Sequence, residues 1–318
     1  VTVTDALGRS VRITQPVHRI VALNSDCLEV LRILKAEDRV VGVYSDIVRE
    51  RSFWGKLADV ATVGKWNEVN LEAVAALAPD LVIGYGYNPD QSAEEKLKKL
   101  GIVMLRLDFY RIATLEQEVR TLGTILGQEA EAERFVVWHH RYGEMISTAI
   151  AASSEEPSVY IENYSDYHAS GPGTGGQEMC RLAGGRNIAS ASAIPFPQVT
   201  PEWVLTQDPQ VIIKAAAHVD GYSRQDGTPF DQKRDAIAAR PSWRHIKAVT
   251  AGQVHVIDGS IWTGPRSLIG IAYLARWFHL GLPAIPDPEA LHREYLETFQ
   301  GIPYQGVYVS GDLIRHSE

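Results

Sequence analysis

Aromatic and charged side chains recur at one kind of position in this sequence, next to short apolar runs. Tyr44 closes the run Val40–Tyr44, and Lys65 and Trp66 precede the segment Asn70–Ala78. Tyr85 and Tyr87 follow Leu81-Val82-Ile83, while Tyr110 and Arg111 follow Ile102–Leu107. In the second half, Tyr164, Tyr167 and His168 follow Ser158–Ile161, and Trp262 and Arg266 follow Val254–Ile257. Aromatic rings offer flat contact area, and their faces attract cations. An arginine fork matches carboxylate or catecholate oxygens better than a lysine does. Trp66, Tyr85, Tyr87, Tyr164 and Trp262 therefore fit stacking, and Arg111 and Arg266 fit anion pairing, around a bulky, flat or anionic ligand. The set does not suit a bare metal ion, which needs converging His, Asp and Glu. Taken singly, each residue is as readily explained by loop packing.

Covalent chemistry finds little support. Gly171-Pro172-Gly173-Thr174-Gly175-Gly176 fits G-x-G-x-x-G, but a dinucleotide site needs that motif directly after a strand with an acid about 20 residues on. Here Glu162 to Ser170 intervene and Ser190–Pro197 holds no acid, so the glycines read as the entry to a helix. His139 and His140 are adjacent in a helical stretch and point about 100° apart, which suits a solvated face better than a metal site. Cys27 sits near a helix start, where a thiol can ionise, although a small buried residue is the more frequent case. No H-E-x-x-H, G-x-S-x-G or P-loop is present. The chain reads as a non-enzyme with no catalytic residue, no metal ligand set and no cofactor of its own.

The elements that position these residues are legible from periodicity. Alternation on both sides of Asp5-Ala6-Leu7-Gly8 predicts a β-hairpin. Arg19–Leu23, Val40–Tyr44, Leu81–Ile83 and Ile102–Leu107 read as strands, alternating with helices capped at Asn24 or Ser25, over Asn70–Ala78 and over Gln91–Leu100. From Thr114 to about Ala152 no proline occurs and apolar residues keep helical spacing, which predicts one or two helices, the second long. The alternation then resumes with strands at Ser158–Ile161, Val211–Lys214 and Val254–Ile257. Helices are expected at Gly176–Ala183, around Val204–Gln207 and at Thr263–Phe278, and an exposed loop at Asp220–Pro229. Strands alternating with helices imply parallel α/β sheets.

Length and composition agree. At about 150 residues per domain, 318 residues suggest two domains. The hydrophobic content of 45% and charged content of 22% are ordinary for a globular chain. A formal net charge of −8 gives none of the basic surplus of a nucleic-acid binder. The halves also repeat. Val69-Asn70-Leu71-Glu72-Ala73-Val74 matches Val199-Thr200-Pro201-Glu202-Trp203-Val204, and the match continues through Pro79 and Pro209 into the strands that follow. An acid in the first turn of a helix is favoured by the macrodipole alone. The paired occurrence of Glu72 and Glu202 also suits two equivalent carboxylates that dock onto basic residues of a partner. Two like lobes follow: residues 1–113, then a connecting helical segment 114–153, then 154–318.

At these residues the sequence resembles the class III periplasmic binding proteins of ABC importers, the receptors for ferric siderophores, haem and cobalamin. The resemblance is carried by Asp5–Val11, Arg19–Leu23, Val63-Gly64 running on to Asn70-Leu71-Glu72, and Leu77–Ile83. It continues in Leu182–Asn187, Glu202 with Asp208-Pro209, and Gly264-Pro265-Arg266. It implies two parallel-sheet α/β lobes joined by one long rigid helix, with the ligand clamped in a cleft between them and little motion on binding. Glu72 and Glu202 match the family's lobe-tip glutamates, which contact permease arginines. The implied ligand is a metal chelate that itself carries iron or cobalt. A ferric siderophore-type complex is favoured, then a corrinoid, then haem, for which Tyr164, Tyr167 or His168 would be the iron ligand. A nitrogenase-like enzyme would need clustered cysteines, and only Cys27 and Cys180 exist, one in each half and expected as free thiols. A sensory receptor is the other alternative. The expected partners are permease subunits and the small chelate, the expected state is a monomer, and the expected location is periplasmic or otherwise extracytoplasmic. The start at Val1 reads as a removed export signal.

Overall fold

The computed structural model describes residues 1–217 and 219–311, which form two compact units. The first comprises Val1–His139 and Leu296–Pro303. The second comprises His140–Tyr295 and the chain from Tyr304 on.

The first unit opens with strands β1 (Thr2–Thr4) and β2 (Ser10–Arg12), paired antiparallel. Asp5 builds the turn between them: its carboxylate accepts the Leu7 and Arg9 amides at 3.0 and 2.9 Å and the Arg9 guanidinium at 2.7 Å. Next come β3 (Ile20–Ala22), helix α1 (Ser25–Ile33), β4 (Val40–Val43) and a short hairpin of β5 (Gly64–Lys65) and β6 (Glu68–Val69). Helix α2 (Leu71–Ala76), β7 (Leu81–Gly84), α3 (Gln91–Lys99) and β8 (Val103–Arg106) follow. The four long strands form a parallel sheet in the order β4-β3-β7-β8. Ile20, Val21, Leu81 and Val82 are wholly buried, which is why these strands read as unbroken apolar runs rather than alternating ones.

Two helices close the first half. Helix α4 (Ile112–Leu126) stops at Gly127, whose left-handed φ of +66° costs a residue without Cβ nothing. Helix α5 (Glu129–Ala151) runs 23 residues without a proline, as its sequence predicts, and the boundary between the units falls within it. In the first unit its Phe135 and Trp138 pack on Phe299, with ring centroids 5.5 and 5.2 Å away.

The second unit repeats the plan with β9 (Ser158–Glu162), α6 (Gly175–Leu182), β10 (Arg186–Asn187), α7 (Pro201–Gln207) and β11 (Val211–Ala216). It continues with α8 (Thr228–Ala238), β12 (Val254–Asp258), α9 (Ser267–Phe278) and α10 (Pro288–Tyr295). Its parallel sheet has the order β10-β9-β11-β12. Taken in chain order, that is second-first-third-fourth, as in the first unit. The repeated sequence segments occupy equivalent places: α2 and α7 carry side-chain caps at Asn70 and Thr200, and β7 and β11 follow them. Cys27 and Cys180 are both free and buried, and no described helix is long and apolar enough to cross a membrane.

Three expectations are corrected. His139 is buried rather than solvated: its Nδ1 lies 2.9 Å from Glu116 Oε1 and its ring lies against Phe135, while His140 is exposed. The region Asp220–Pro229 is not one exposed loop. Gly221 and Tyr222 are buried in a 3-10 turn, with the Val307 amide bonded to Gly221 O at 2.9 Å, and Thr228 already begins α8. The helix expected from Thr263 starts at Ser267, because Gly264, at φ +72°, and Pro265 make a separate 3-10 turn first.

Candidate functional site

In open parallel sheets a ligand crevice forms outside the carboxyl ends of strands, where the strand order reverses. In the first unit that point lies between β3 and β7. The chain leaves β3 into Asn24, whose side chain caps α1 by accepting the Cys27 amide at 2.9 Å. This cap places Asp26 in the first helical turn. The chain leaves β7 into Tyr85, whose hydroxyl donates to Asp26 Oδ2 at 2.8 Å. Burial first, and Asp26 second, push the Tyr85 phenol well above its ordinary pKa, so it stays a donor.

Around that bond stands an aromatic cluster. Tyr85 and Tyr87 stack with centroids 5.4 Å apart and 10° between planes, and Tyr110 meets Tyr85 edge-on at 5.3 Å. Tyr87 is the outer ring, 60% exposed. Buried Asp108, just beyond β8, accepts the Gly86 amide at 2.8 Å and pairs with Arg111 at 3.2 Å. The Arg111 Nε also donates to the Tyr110 hydroxyl at 3.2 Å. Trp66 joins this face from the β5–β6 turn: it is 39% exposed, and its carbonyl accepts the Asn88 side-chain amide. Lys65 is exposed on the same hairpin. Tyr44 is withdrawn beside the sheet, 9% exposed, and burial raises its phenol pKa.

Next to this face, between the β1–β2 hairpin and α4, is a groove of about 620 Å³ lined in part by Asp108, Arg111, Thr114 and Glu118. Glu118 is 7% exposed and its Oε2 has no hydrogen-bond partner. Burial, reinforced by the Asp108 carboxylate, pushes its carboxyl up to about 7, against smaller opposing help from the Asp108 amide and the Thr114 hydroxyl.

In the second unit the equivalent point lies between β9 and β11. Glu162, the last residue of β9, is wholly buried. It accepts Arg240 through both oxygens at 2.7 and 2.9 Å, the Tyr167 amide at 3.0 Å and the Tyr160 hydroxyl at 3.1 Å, and pairs with Lys214 at 3.0 Å. Burial works against that charge, but Arg240 and Lys214 prevail and hold the carboxylate below its usual range. Tyr167, at φ +59°, belongs to this frame: Arg240 lies 4.3 Å over its ring and Trp243 meets it edge-on. Tyr164 is 43% exposed, with its ring against Gly259, where a Cβ would stand 3.2 Å from Tyr164 Cε1. His168 is half-buried, with Nδ1 3.0 Å from Asp166 O.

Trp262 and Arg266 do not present themselves as their sequence position suggests. They are 2% and 3% exposed. The Trp262 ring packs so closely on Gly176 that a Cβ there would lie 2.9 Å from Cζ2. Arg266 lies near the buried Asp258 carboxyl, whose pKa burial raises and the Arg266 charge only partly brings back down. Two successive 3-10 turns, Gly259–Ile261 and Gly264–Arg266, fold both side chains inward, so neither offers an open ring face or fork as placed. Glu72 and Glu202, in contrast, are both exposed in the first turns of α2 and α7.

Sequence reasoning passed over Asp26, Glu118, Glu162 and Phe196. Asp26 and Glu162 are acids engaged by partners distant in sequence, and Glu118 is an acid buried on α4. Phe196 did leave a signal, the uncharged run Ile194-Pro195-Phe196-Pro197. Among the described residues no group of three or more His, Cys, Asp or Glu could hold a metal ion.

Against known proteins, the family described as periplasmic binding protein matches residues 20–260. An ABC transporter substrate-binding lipoprotein of Bacillus subtilis (strain 168) is 28% identical over 284 residues, 86% of this chain and 84% of that protein. A vitamin B12-binding protein of Pectobacterium carotovorum is 28% identical over 200 residues, 62% of this chain and 70% of that protein. The TroA-like periplasmic binding protein FepB of Veillonella parvula shares the fold at a TM-score of 0.84 and 19% identity, covering 98% of this chain and 99% of that one.

Proposed function

Because the chain belongs to the periplasmic binding protein family, we propose that it is the extracytoplasmic solute receptor of an ABC importer and that its solute is a corrinoid. The activity is binding and delivery, not catalysis. The observation that carries the ligand class is the Tyr85–Tyr87–Tyr110 cluster set over buried Asp26 and Asp108. Flat rings suit a flat macrocycle. A corrinoid's cobalt is held by its own ring nitrogens, so the protein supplies no metal ligand. The relatives named as vitamin B12-binding proteins support the same reading.

Charge favours the corrinoid over the ferric siderophore that the sequence alone prefers. Arg111 is already paired with Asp108, and Arg266 is buried near Asp258. A trianionic ferric catecholate would therefore find both arginine forks already engaged with acids. One observation keeps a siderophore as the second reading: Arg111, although paired, leaves its side chain 59% exposed at the edge of the tyrosines.

Tryptophan-fluorescence titration decides between them, using cyanocobalamin, dicyanocobinamide, a ferric hydroxamate, a ferric catecholate and haem. Saturable quenching by the two corrinoids is the expected result. Silence toward both, with saturation by a ferric chelate, overturns the corrinoid assignment.

A further inference from the structure

We propose that Arg106, the last residue of β8, is the positioning residue of the aromatic face: its guanidinium holds the segment Tyr85–Asp90, and with it the ring of Tyr87. The inference rests on the corrinoid reading above, in which Tyr87 meets the ligand. Tyr85–Asp90 lies outside any helix or strand. Its backbone polar groups therefore have no ladder to bond to and must find partners elsewhere. The partners are side chains at the end of the neighbouring strand. The Gly86 amide goes to Asp108, and the carbonyls go to Arg106.

Arg106 Nη1 donates to Tyr85 O at 2.8 Å and to Gly86 O at 3.1 Å. Its Nη2 donates to Pro89 O at 2.7 Å and to Asp90 O at 3.4 Å. Its Nε donates to Glu94 Oε2 at 2.8 Å, so α3 supplies the countercharge. One planar fork thus ties both ends of the segment to a single point, with Tyr87 carried between them. The far end is fixed a second time, because Asp90 caps α3 by accepting the Ala93 amide at 2.8 Å. β7 and β8 pair with Gly84 beside Arg106, which brings the fork to the place where the segment begins.

Arg106 is 2% exposed, too buried to meet a ligand itself, so it acts through the segment it holds. A groove of about 360 Å³ lined by Leu7, Arg9, Tyr87 and Arg106 adjoins that segment, so close packing does not hold it on that side. A segment held by the fork loses little freedom when a ligand packs on Tyr87. A loosened one must be ordered at binding, which lowers affinity. A lysine cannot substitute, because a compact ammonium on a flexible stem does not span acceptors at both ends.

The test is Arg106→Lys in the full chain, which keeps a charge against Glu94 and loses the fork. In the ligand-free protein, amide hydrogen exchange of the peptide spanning residues 84–91 should quicken by about tenfold, while peptides from β3 and β4 exchange as in wild type. Titration with cyanocobalamin and dicyanocobinamide should show both bound about tenfold more weakly. Because Arg106 acts through Tyr87, the double variant Arg106→Lys, Tyr87→Ala should lose about thirtyfold or less, rather than the roughly hundredfold of independent effects. A hundredfold loss gives Arg106 a general structural role and overturns the proposal. Wild-type affinity or wild-type exchange in Arg106→Lys overturns it as well, and the corrinoid reading survives each of these outcomes. If Arg106→Lys fails to fold, Glu94→Gln, which removes the carboxylate partner of the fork, takes its place with the same expected directions, and wild-type exchange in that variant overturns the proposal. A wild-type chain that binds neither corrinoid overturns the corrinoid reading, and exchange of residues 84–91 then decides the role of Arg106 by itself.

Discussion

At the scale of single residues, the first unit holds an acid that burial has made costly to charge. That acid is Glu118. Its carboxyl titrates at about 7 in the folded chain, against about 4.3 when unfolded. Between those values the folded state binds the extra proton, so stability falls as pH rises through the window and levels off above it. Glu118→Gln removes this term. Urea denaturation at pH 5 and pH 8 should find that the variant gains on wild type by about 2.5 kcal/mol between the two pH values, because at pH 5 only the first part of the window has been crossed. The depressed histidines, His255 and His292, titrate alike in both proteins and drop out of the comparison. A difference that does not change with pH would show that Glu118 does not titrate in this range. Tyr87 offers a second residue-level test. As the outer ring of its stack, it should be replaceable by phenylalanine, whereas Tyr87→Ala should lower corrinoid affinity by about tenfold. Equal affinity in Tyr87→Ala would remove the stacked tyrosines from the site.

At the scale of elements, each unit places its site with helix caps and close backbone approaches. Asn70 and Thr200 accept the Ala73 and Trp203 amides at 3.0 and 3.2 Å, fixing where α2 and α7 begin and therefore where Glu72 and Glu202 stand. A cap of this kind is local, since it needs only its own helix. Close packing between elements is not. Gly270 lies in α9 where a Cβ would be 2.2 Å from Ile261 O and 2.5 Å from Met179 Cε. Gly270→Ala should therefore cost roughly 3 kcal/mol, because a backbone carbonyl cannot step aside as a side-chain end can. Thermal and urea unfolding should show the loss, and a midpoint like that of wild type would mean that α9 shifts freely. The conserved strand order of the two sheets has the same local origin as the caps: apolar runs alternate with helices, and right-handed crossovers leave few arrangements.

At the scale of the whole molecule, the question is how a filled receptor is recognised by a permease. Glu72 and Glu202 are exposed at matching helix starts in the two units, and we propose that they dock a permease. The double variant Glu72→Ala, Glu202→Ala should bind ligand within about twofold of wild type while uptake falls by about tenfold or more, since charge pairs desolvated at an interface outweigh exposed ones. Uptake measured with the cognate permease checks this, and undiminished uptake would return both residues to the role of helix-dipole acids.

Periodicity and local chemistry in the sequence determined the parallel α/β sheets, the repeated segments, the cap at Asn24 or Ser25, and the loops that carry the aromatics. Each of these depends on residues within a few positions of one another. Only the tertiary structure decided which loop residues face outward. Tyr87, Tyr164 and Phe196 are exposed, while Trp262, Arg266 and Tyr167 are drawn into the second unit by Gly176, Asp258 and Arg240. It also decided the sign of charge at the candidate site. Asp26 and Glu118 lie on two helices and Asp108 in the loop after β8, and burial and pairing are properties of neighbours that a local reading does not supply.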